Sequence, residues 1–184
     1  MPRIAAAASI EASPAASQPL LEGVKKQFGS VPNLFRTVAV SPAALQGYLG
    51  LNAALAKGKL SAATRERIAL TVAEINGCGY CLAAHSYIAK NLAKLEDGEI
   101  AANREASSGD PKADAALRFA AKVVEARGHV SDDDVAQVMR AGYDAAEVME
   151  IVAHVALNTL TNYVNEVAKT DIDFPVIAAQ PKVA

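Results

Sequence analysis

The apolar positions of the chain fall into helical segments separated by Gly, Pro and Ser punctuation. Leu45, Tyr48, Leu49, Leu51 and Leu55 follow Ser41-Pro42, a cap residue with proline at the first helical position, and that segment runs out at Gly58. Ser61 opens the next one, through Ile68, Val72 and Ile75 to the break at Asn76-Gly77. Leu117, Ala120, Ala121 and Val124 predict a helix from Lys112 to Arg127, stopped by Gly128. Ser131 with Asp134, and Asp144 with Glu147, read as capping boxes. The second box starts a long last helix through Val148, Ile151, Val155 and Leu160 towards Val167. Shorter helices are expected from Pro19 to Phe28, from Asn33 to Val40 and around 97–106, and another begins near Cys78 and continues to about Leu95. Ser107-Ser108-Gly109-Asp110-Pro111 is a loop, and Asp171-Ile172-Asp173-Phe174-Pro175 an extended tail. No stretch alternates with period two long enough to make a strand. The pattern predicts an all-α protein, a single-domain compact helical bundle of seven to nine helices.

Composition agrees. The chain is 52% hydrophobic but only 5% aromatic, and much of the apolar content is alanine, the strongest helix former. Residues 1–17 are rich in Ala, Pro and Ser and predict a flexible or extended arm, with the helical domain occupying 18–184. A core of small side chains buries modest area per residue, so a homo-oligomer is expected to complete it. The formal net charge is −2 with no run of Lys or Arg, which argues against a nucleic-acid partner. No apolar stretch is long enough for a membrane span. The N-terminal alanines are interrupted by Glu11 and fall short of a secretory core, so a cytoplasmic protein is expected. There is no glycine-rich phosphate loop, and no cofactor is expected.

The chemistry concentrates in one stretch. The two cysteines of the chain, Cys78 and Cys81, stand three residues apart, with His85 four residues further on. A disulfide closing so small a loop adds little to fold stability, so the pair suits chemistry better than stapling. If a helix starts at Cys78, then Cys78, Cys81 and His85 share one face. A helix N-terminus favours thiolate over thiol, and an imidazole can accept the thiol proton. Cys78 is nearer the helix end and Cys81 nearer the histidine, so spacing alone leaves the attacking sulfur open. Glu66 and Glu74 are candidates to orient His85. Glu66 shares a helix face with Leu70 and Ala73 and so needs a partner if buried; the alternative is a surface pairing with Arg65 or Arg67. Other readings of the cysteines are an inert buried pair or a zinc site built on Cys78, Cys81 and His85, which lacks a fourth ligand for a closed structural site. His154, inside the last helix, reads as a satisfied core or interface histidine, and His129 as an unremarkable loop residue.

With these residues laid out, the stretch resembles the alkylhydroperoxidase D-like, carboxymuconolactone decarboxylase superfamily, whose signature of Glu, Cys-x-x-Cys and a following His is met by Glu66, Cys78, Cys81 and His85. Val31-Pro32-Asn33-Leu34-Phe35, Ser41-Pro42, Glu74-Ile75-Asn76-Gly77, Asn162-Tyr163-Val164-Asn165 and Asp173-Phe174-Pro175 make the chain similar to the peroxidase-related branch. The resemblance implies an all-helical fold assembling into trimers or hexamers. It implies Cys81 as the peroxidatic cysteine, Cys78 as resolving cysteine and proton donor, and Glu66 with His85 as the proton relay. It further implies a hydroperoxide substrate and an external dithiol protein or small thiol as reductant. Tyr80 departs from the pattern, since the resembling peroxidases carry His before the second cysteine. A phenol with a pKa near 10 does not relay protons at neutral pH, so Tyr80 is expected only to donate a hydrogen bond to a thiolate or bound oxygen. The other activities in view are a decarboxylase-like lyase, which generally does not depend on a cysteine pair, and a non-enzymatic redox-sensing oligomer.

Overall fold

A computed structural model describes residues 1–177 and 179 of the chain. The described residues form nine helices and no strand: α1 Gln18–Phe28, α2 Asn33–Val38, α3 Pro42–Leu55, α4 Ala62–Asn76, α5 Gly79–Asn91, α6 Asp97–Arg104, α7 Pro111–Glu125, α8 Asp132–Arg140 and α9 Ala145–Ala168. The expected boundaries are met to within a few residues. The largest differences are at the C-terminal ends of α3 and α5, which stop at Leu55 and Asn91. The caps are those read from the sequence. The Ser41 and Ser61 hydroxyls accept from the third residue of their helices, and the two capping boxes close at Ser131/Asp134 and Asp144/Glu147.

The architecture is organised around α4. Thr64, Ile68, Ala69, Leu70, Thr71, Val72 and Ala73 are all buried, so this helix is covered around most of its circumference and takes the middle of the molecule. It packs against α5, α6, α7 and α9. Leu70 and Ala73 face one half of the core, with Leu21, Leu34, Phe35, Leu45 and both cysteines. Ile68 and Val72 face the other, with Leu117, Phe119, Val138, Val148 and Ile151. The first 17 residues lie against this body without regular structure. The backbone N–H of Arg3 donates to Ala168 O at the end of α9 (2.7 Å), and the buried Ser17 hydroxyl donates to Ala39 O (2.7 Å).

A two-residue junction joins α4 to α5. Gly77 takes a left-handed conformation (φ 70°), which costs glycine nothing, and the Cys78 N–H reaches back to Ala73 O at 2.9 Å. The chain therefore reverses within one turn and lays α5 against α4. This brings Glu66, eleven residues before the turn, level with His85, eight residues after it.

Candidate active site

Cys78 is not on the helix face with Cys81 and His85. It is the N-cap of α5, with extended backbone (φ −88°, ψ 98°), and its Sγ accepts the backbone N–H of Cys81 at 3.4 Å. A cap residue stands half outside its helix, which sets its side chain over the first turn rather than along the face. Both cysteines are free thiols, 0% and 2% exposed. Cys81 lies in the first turn of α5, and its Sγ also accepts from Asn165 Nδ2, near the end of α9, at 3.3 Å.

His85 comes one turn later. Its Nδ1 meets Glu66 Oε2 at 2.8 Å, both side chains being about one-fifth exposed. The charged neighbours of Glu66 are engaged elsewhere. Arg67 Nε pairs with Glu99 at 2.8 Å, and Arg65 Nη1 donates to Ala56 O and Leu60 O. Glu74, the other carboxylate considered for this role, pairs with Arg104 at 2.6 Å.

The electrostatics divide the two sulfurs. A hydrogen bond from Cys78 pulls the Cys81 pKa below the ordinary thiol value. The positive charge of His85 and the amides of Asn165 and Asn162 add to this and outweigh burial. The same hydrogen bond, with burial and the negative charge forming on Cys81, drives Cys78 up, so one proton is held on Cys78 while Cys81 carries the charge. At His85 burial opposes the protonated ring. The carboxylate of Glu66, its hydrogen bond and the Cys81 charge together win, and the imidazole pKa is raised.

Tyr80 lines a cavity at Cys81, but its hydroxyl is engaged by other partners. The hydroxyl donates to Asp173 Oδ1 at 2.9 Å and accepts the Leu34 N–H at 3.1 Å. A phenol has one proton, and here it is committed to the C-terminal tail rather than to sulfur. The tail is fixed in turn: Asp173 Oδ2 accepts the Asn33 N–H at 2.8 Å, and Phe174 sets its ring edge-on to Tyr80. Burial and the Asp173 charge raise the Tyr80 pKa, so the proton stays.

A cavity of about 60 Å³ opens onto Cys81 and His85, walled by Leu34, Tyr48, Asn52, Ala84 and Leu157. A water needs only about 10–15 Å³ of such space, so a small oxidant fits. Tyr48, a wall of this cavity, is a residue that its sequence position among apolar residues concealed. It is half-buried, and burial with the charges of Cys81 and Glu66 raises its pKa, so the hydroxyl keeps its proton. Asn158, Thr161, Asn162 and Asn165 are buried on one face of α9, and Asn162 Oδ1 accepts from Asn76 Nδ2 at 2.9 Å. Their spacing of three, four and seven residues inside an apolar helix is the signal that would have found them. His154 heads the same row. It is buried, and its Nε2 has no partner among the described residues of this chain, which sets aside the satisfied core histidine and leaves the interface histidine of the same expectation standing. His129 is exposed. Among the described residues no cluster of three His, Cys, Asp or Glu side chains is placed to hold a metal ion.

Residues 42–122, which contain the cysteines, His85 and Glu66, match the family model described as "Carboxymuconolactone decarboxylase family". No curated protein matches the chain. The structure is similar to an uncharacterized peroxidase-related protein with an alkylhydroperoxidase AhpD core from Ralstonia eutropha JMP134, at TM-score 0.82 and 26% identity over 92% of each chain. It is also similar to a peroxidase-related protein from Silicibacter sp. TM1040, at TM-score 0.76 and 25% identity over 86% of this chain and 85% of that one. The debrominase Bmp8, solved with 2,3,4-tribromopyrrole, shares the fold at TM-score 0.77 and 21% identity, over 93% of this chain and 91% of its own.

Proposed function

We propose that this chain, which belongs to the alkylhydroperoxidase D-like, carboxymuconolactone decarboxylase superfamily, is a thiol-dependent hydroperoxide reductase with Cys81 as its nucleophile. The family and the fold by themselves support a peroxidase-related or decarboxylase-like function. What favours the thiol chemistry is one observation. The Cys81 sulfur is buried and accepts the Asn165 amide, the Cys78 sulfur accepts the backbone N–H of the same Cys81, and His85, paired with Glu66, shares the cavity. A lyase has no use for a stabilised thiolate with a second thiol in contact.

The cycle balances on these groups. The Cys81 thiolate attacks the distal peroxide oxygen, the O–O bond breaks, and sulfur becomes a sulfenic acid. The departing alkoxide takes the proton of the His85 imidazolium and leaves as alcohol. Cys78 then gives up its proton through the relay and attacks the sulfenic sulfur. An S–S bond forms, and hydroxide leaves with that proton as water. An external dithiol reduces the disulfide and is itself oxidised, which restores the Cys78 thiol, the Cys81 thiolate and the His85 imidazolium. In this reading Glu66 fixes the imidazole and stabilises its charge, and Tyr48, in the wall of the same cavity, donates a hydrogen bond to the peroxide.

The test is peroxide consumption with a dithiol reductant, with the cysteine states read by mass spectrometry. Wild-type protein should turn over through a Cys78–Cys81 disulfide. Cys78→Ser should consume one equivalent and stop at a sulfenic acid on Cys81, and Cys81→Ser should consume none. Sulfenic acid at Cys78 in Cys81→Ser at the native rate would reverse the roles, and no consumption by wild type would end the reading. A homo-oligomer belongs to the same proposal, supported by the exposed apolar residues Met149, Leu160, Tyr163 and Val167 along α9, and light scattering tests it.

A further inference from the structure

A second, larger cavity of about 310 Å³ lies on the far side of His85. It shares Asn52, His85, Leu157 and Asn158 with the small cavity at Cys81, so the two chambers meet at the imidazole. Its volume is at the lower end of what small-molecule sites use, about 300–1,000 Å³. The apolar walls include Ile88, Leu92 and Leu157; Gln27, Asn52 and Asn158 line it too, and its ionisable groups are Arg65, Glu66, His85 and His154.

Arg65 is the informative residue. Its Nη1 is held by the carbonyls of Ala56 (3.3 Å) and Leu60 (3.0 Å), which close the turn between α3 and α4. Among the described residues Nε and Nη2 have no partner, and neither atom is sealed from solvent. Those two N–H groups form the edge of the guanidinium fork that takes a carboxylate side-on. His154 lines the same cavity, 4% exposed, with Nε2 unpartnered. The carboxylates nearby are already engaged. Glu66 is bonded to His85, and Glu150 accepts the backbone N–H groups of Lys59 and Leu60 at 2.8 and 3.1 Å. A buried imidazole with an unpartnered Nε2 and a guanidinium with an unpartnered edge thus line one cavity, two donors that a single carboxylate could engage. The chamber walls suit an organic body behind that anion.

We infer that this cavity binds an organic monocarboxylate, its carboxylate held between Arg65 and His154 and its body directed past His85 towards Cys81. Taken with the peroxidase reading, on which the substrate role rests, the substrate class becomes a carboxylate-bearing organic hydroperoxide rather than hydrogen peroxide. His154 is consistent with the site. Burial, then the charge of Arg65, push its pKa down to about 4 against weaker opposing effects of Glu150 and Glu66, so it meets an anion as a neutral donor.

Benzoate is the probe for the site itself, because it cannot react. Benzoate should shift the imidazole resonances of His154 in the reduced full-length protein and raise the pKa read from them. Arg65→Gln should weaken that binding at least tenfold, and Ala62→Trp, which fills the cavity at the exposed first turn of α4 and leaves Arg65 in place, should abolish it. A second assay compares kcat/KM for an aromatic hydroperoxide carrying a carboxylate with that for its neutral methyl ester. The ratio should exceed tenfold and collapse in both variants. No response of His154 to benzoate, or equal binding in both variants, overturns the site. Benzoate binding without reduction of any hydroperoxide would keep the site and remove the peroxidase reading. Hydroperoxide reduction without benzoate binding would do the opposite.

Discussion

Asn165→Leu isolates the part of the site that lies farthest away in sequence. Leucine keeps the branched shape of the side chain and removes both its donor and its acceptor. The donor is the N–H2 that reaches Cys81 Sγ at 3.3 Å, and the acceptor is a buried Oδ1 with no partner among the described residues. A hydrogen bond to a charged group is worth about 1.5–3 kcal/mol. At 1.36 kcal/mol per pH unit, its loss should raise the Cys81 thiolate midpoint by about 1–2 units. The opposite sign is expected for stability. An unpartnered buried carbonyl costs about 1–3 kcal/mol, and the variant relieves that cost while burying more carbon. Asn165→Leu should therefore be a less reactive and equally or more stable protein, the trade-off of a polar group kept for chemistry. The assay is iodoacetamide alkylation of Cys81 across pH, followed by mass spectrometry, with denaturant unfolding run in parallel. An unmoved alkylation midpoint would show that the amide does not support the thiolate. A marked drop in stability would show that Asn165 is a structural residue.

Three further outcomes are expected. Glu66→Gln removes the charge that holds the His85 pKa up, so the imidazole should titrate lower by NMR and the peroxide rate should fall by about 10–100-fold at neutral pH, with the fold intact. Tyr80→Phe keeps the ring against Phe174 but strands the buried Leu34 N–H, so denaturant unfolding should show a loss of about 1–3 kcal/mol while Cys81 alkylation changes little. His154 has a folded pKa of about 4, below its ordinary 6.5. The unfolded chain takes up a proton near pH 6.5 that the folded one refuses until about 4. Stability should therefore drop across that window on acidification, by at most about 3 kcal/mol, and His154→Phe should flatten the slope measured by unfolding at several pH values.

The local grammar of this chain was legible because it is local. Each helix start at Ser41, Ser61, Ser131 or Asp144 is settled by a hydroxyl or carboxylate and the N–H three residues on; Gly77 caps α4 in the left-handed region, whereas α7 ends at Glu125, before left-handed Arg127 and Gly128. The link between Glu66 and His85 was half legible. The residue types and the apolar face of α4 pointed to it, but the choice between a histidine partner and Arg65 or Arg67 depends on where Glu99 and two backbone carbonyls sit. Asn165 lies 84 residues from Cys81 and Asp173 lies 93 from Tyr80, and no spacing rule reaches so far. The partners of the Tyr80 hydroxyl were out of reach for the same reason: the residue precedes Cys81 in sequence and lines its cavity, but its hydroxyl is bonded to the start of α2 and to the tail.

The cap of α5 carries one more consequence. Serine or aspartate at such a position is permanent, whereas a thiol that leaves to join a disulfide takes the cap with it. Bonding Cys78 to Cys81 would also erase the anion that Asn165 and His85 are arranged to favour. Each of these losses falls on the oxidised form alone. They lift its energy relative to the dithiol and make the couple more oxidising, as in any pair whose reduced form is the better solvated by its protein. On the proposed peroxidase cycle a modest thiol would then suffice to reset the site, and the first turn of α5 would work as a spring, loaded by the oxidant and released by the reductant.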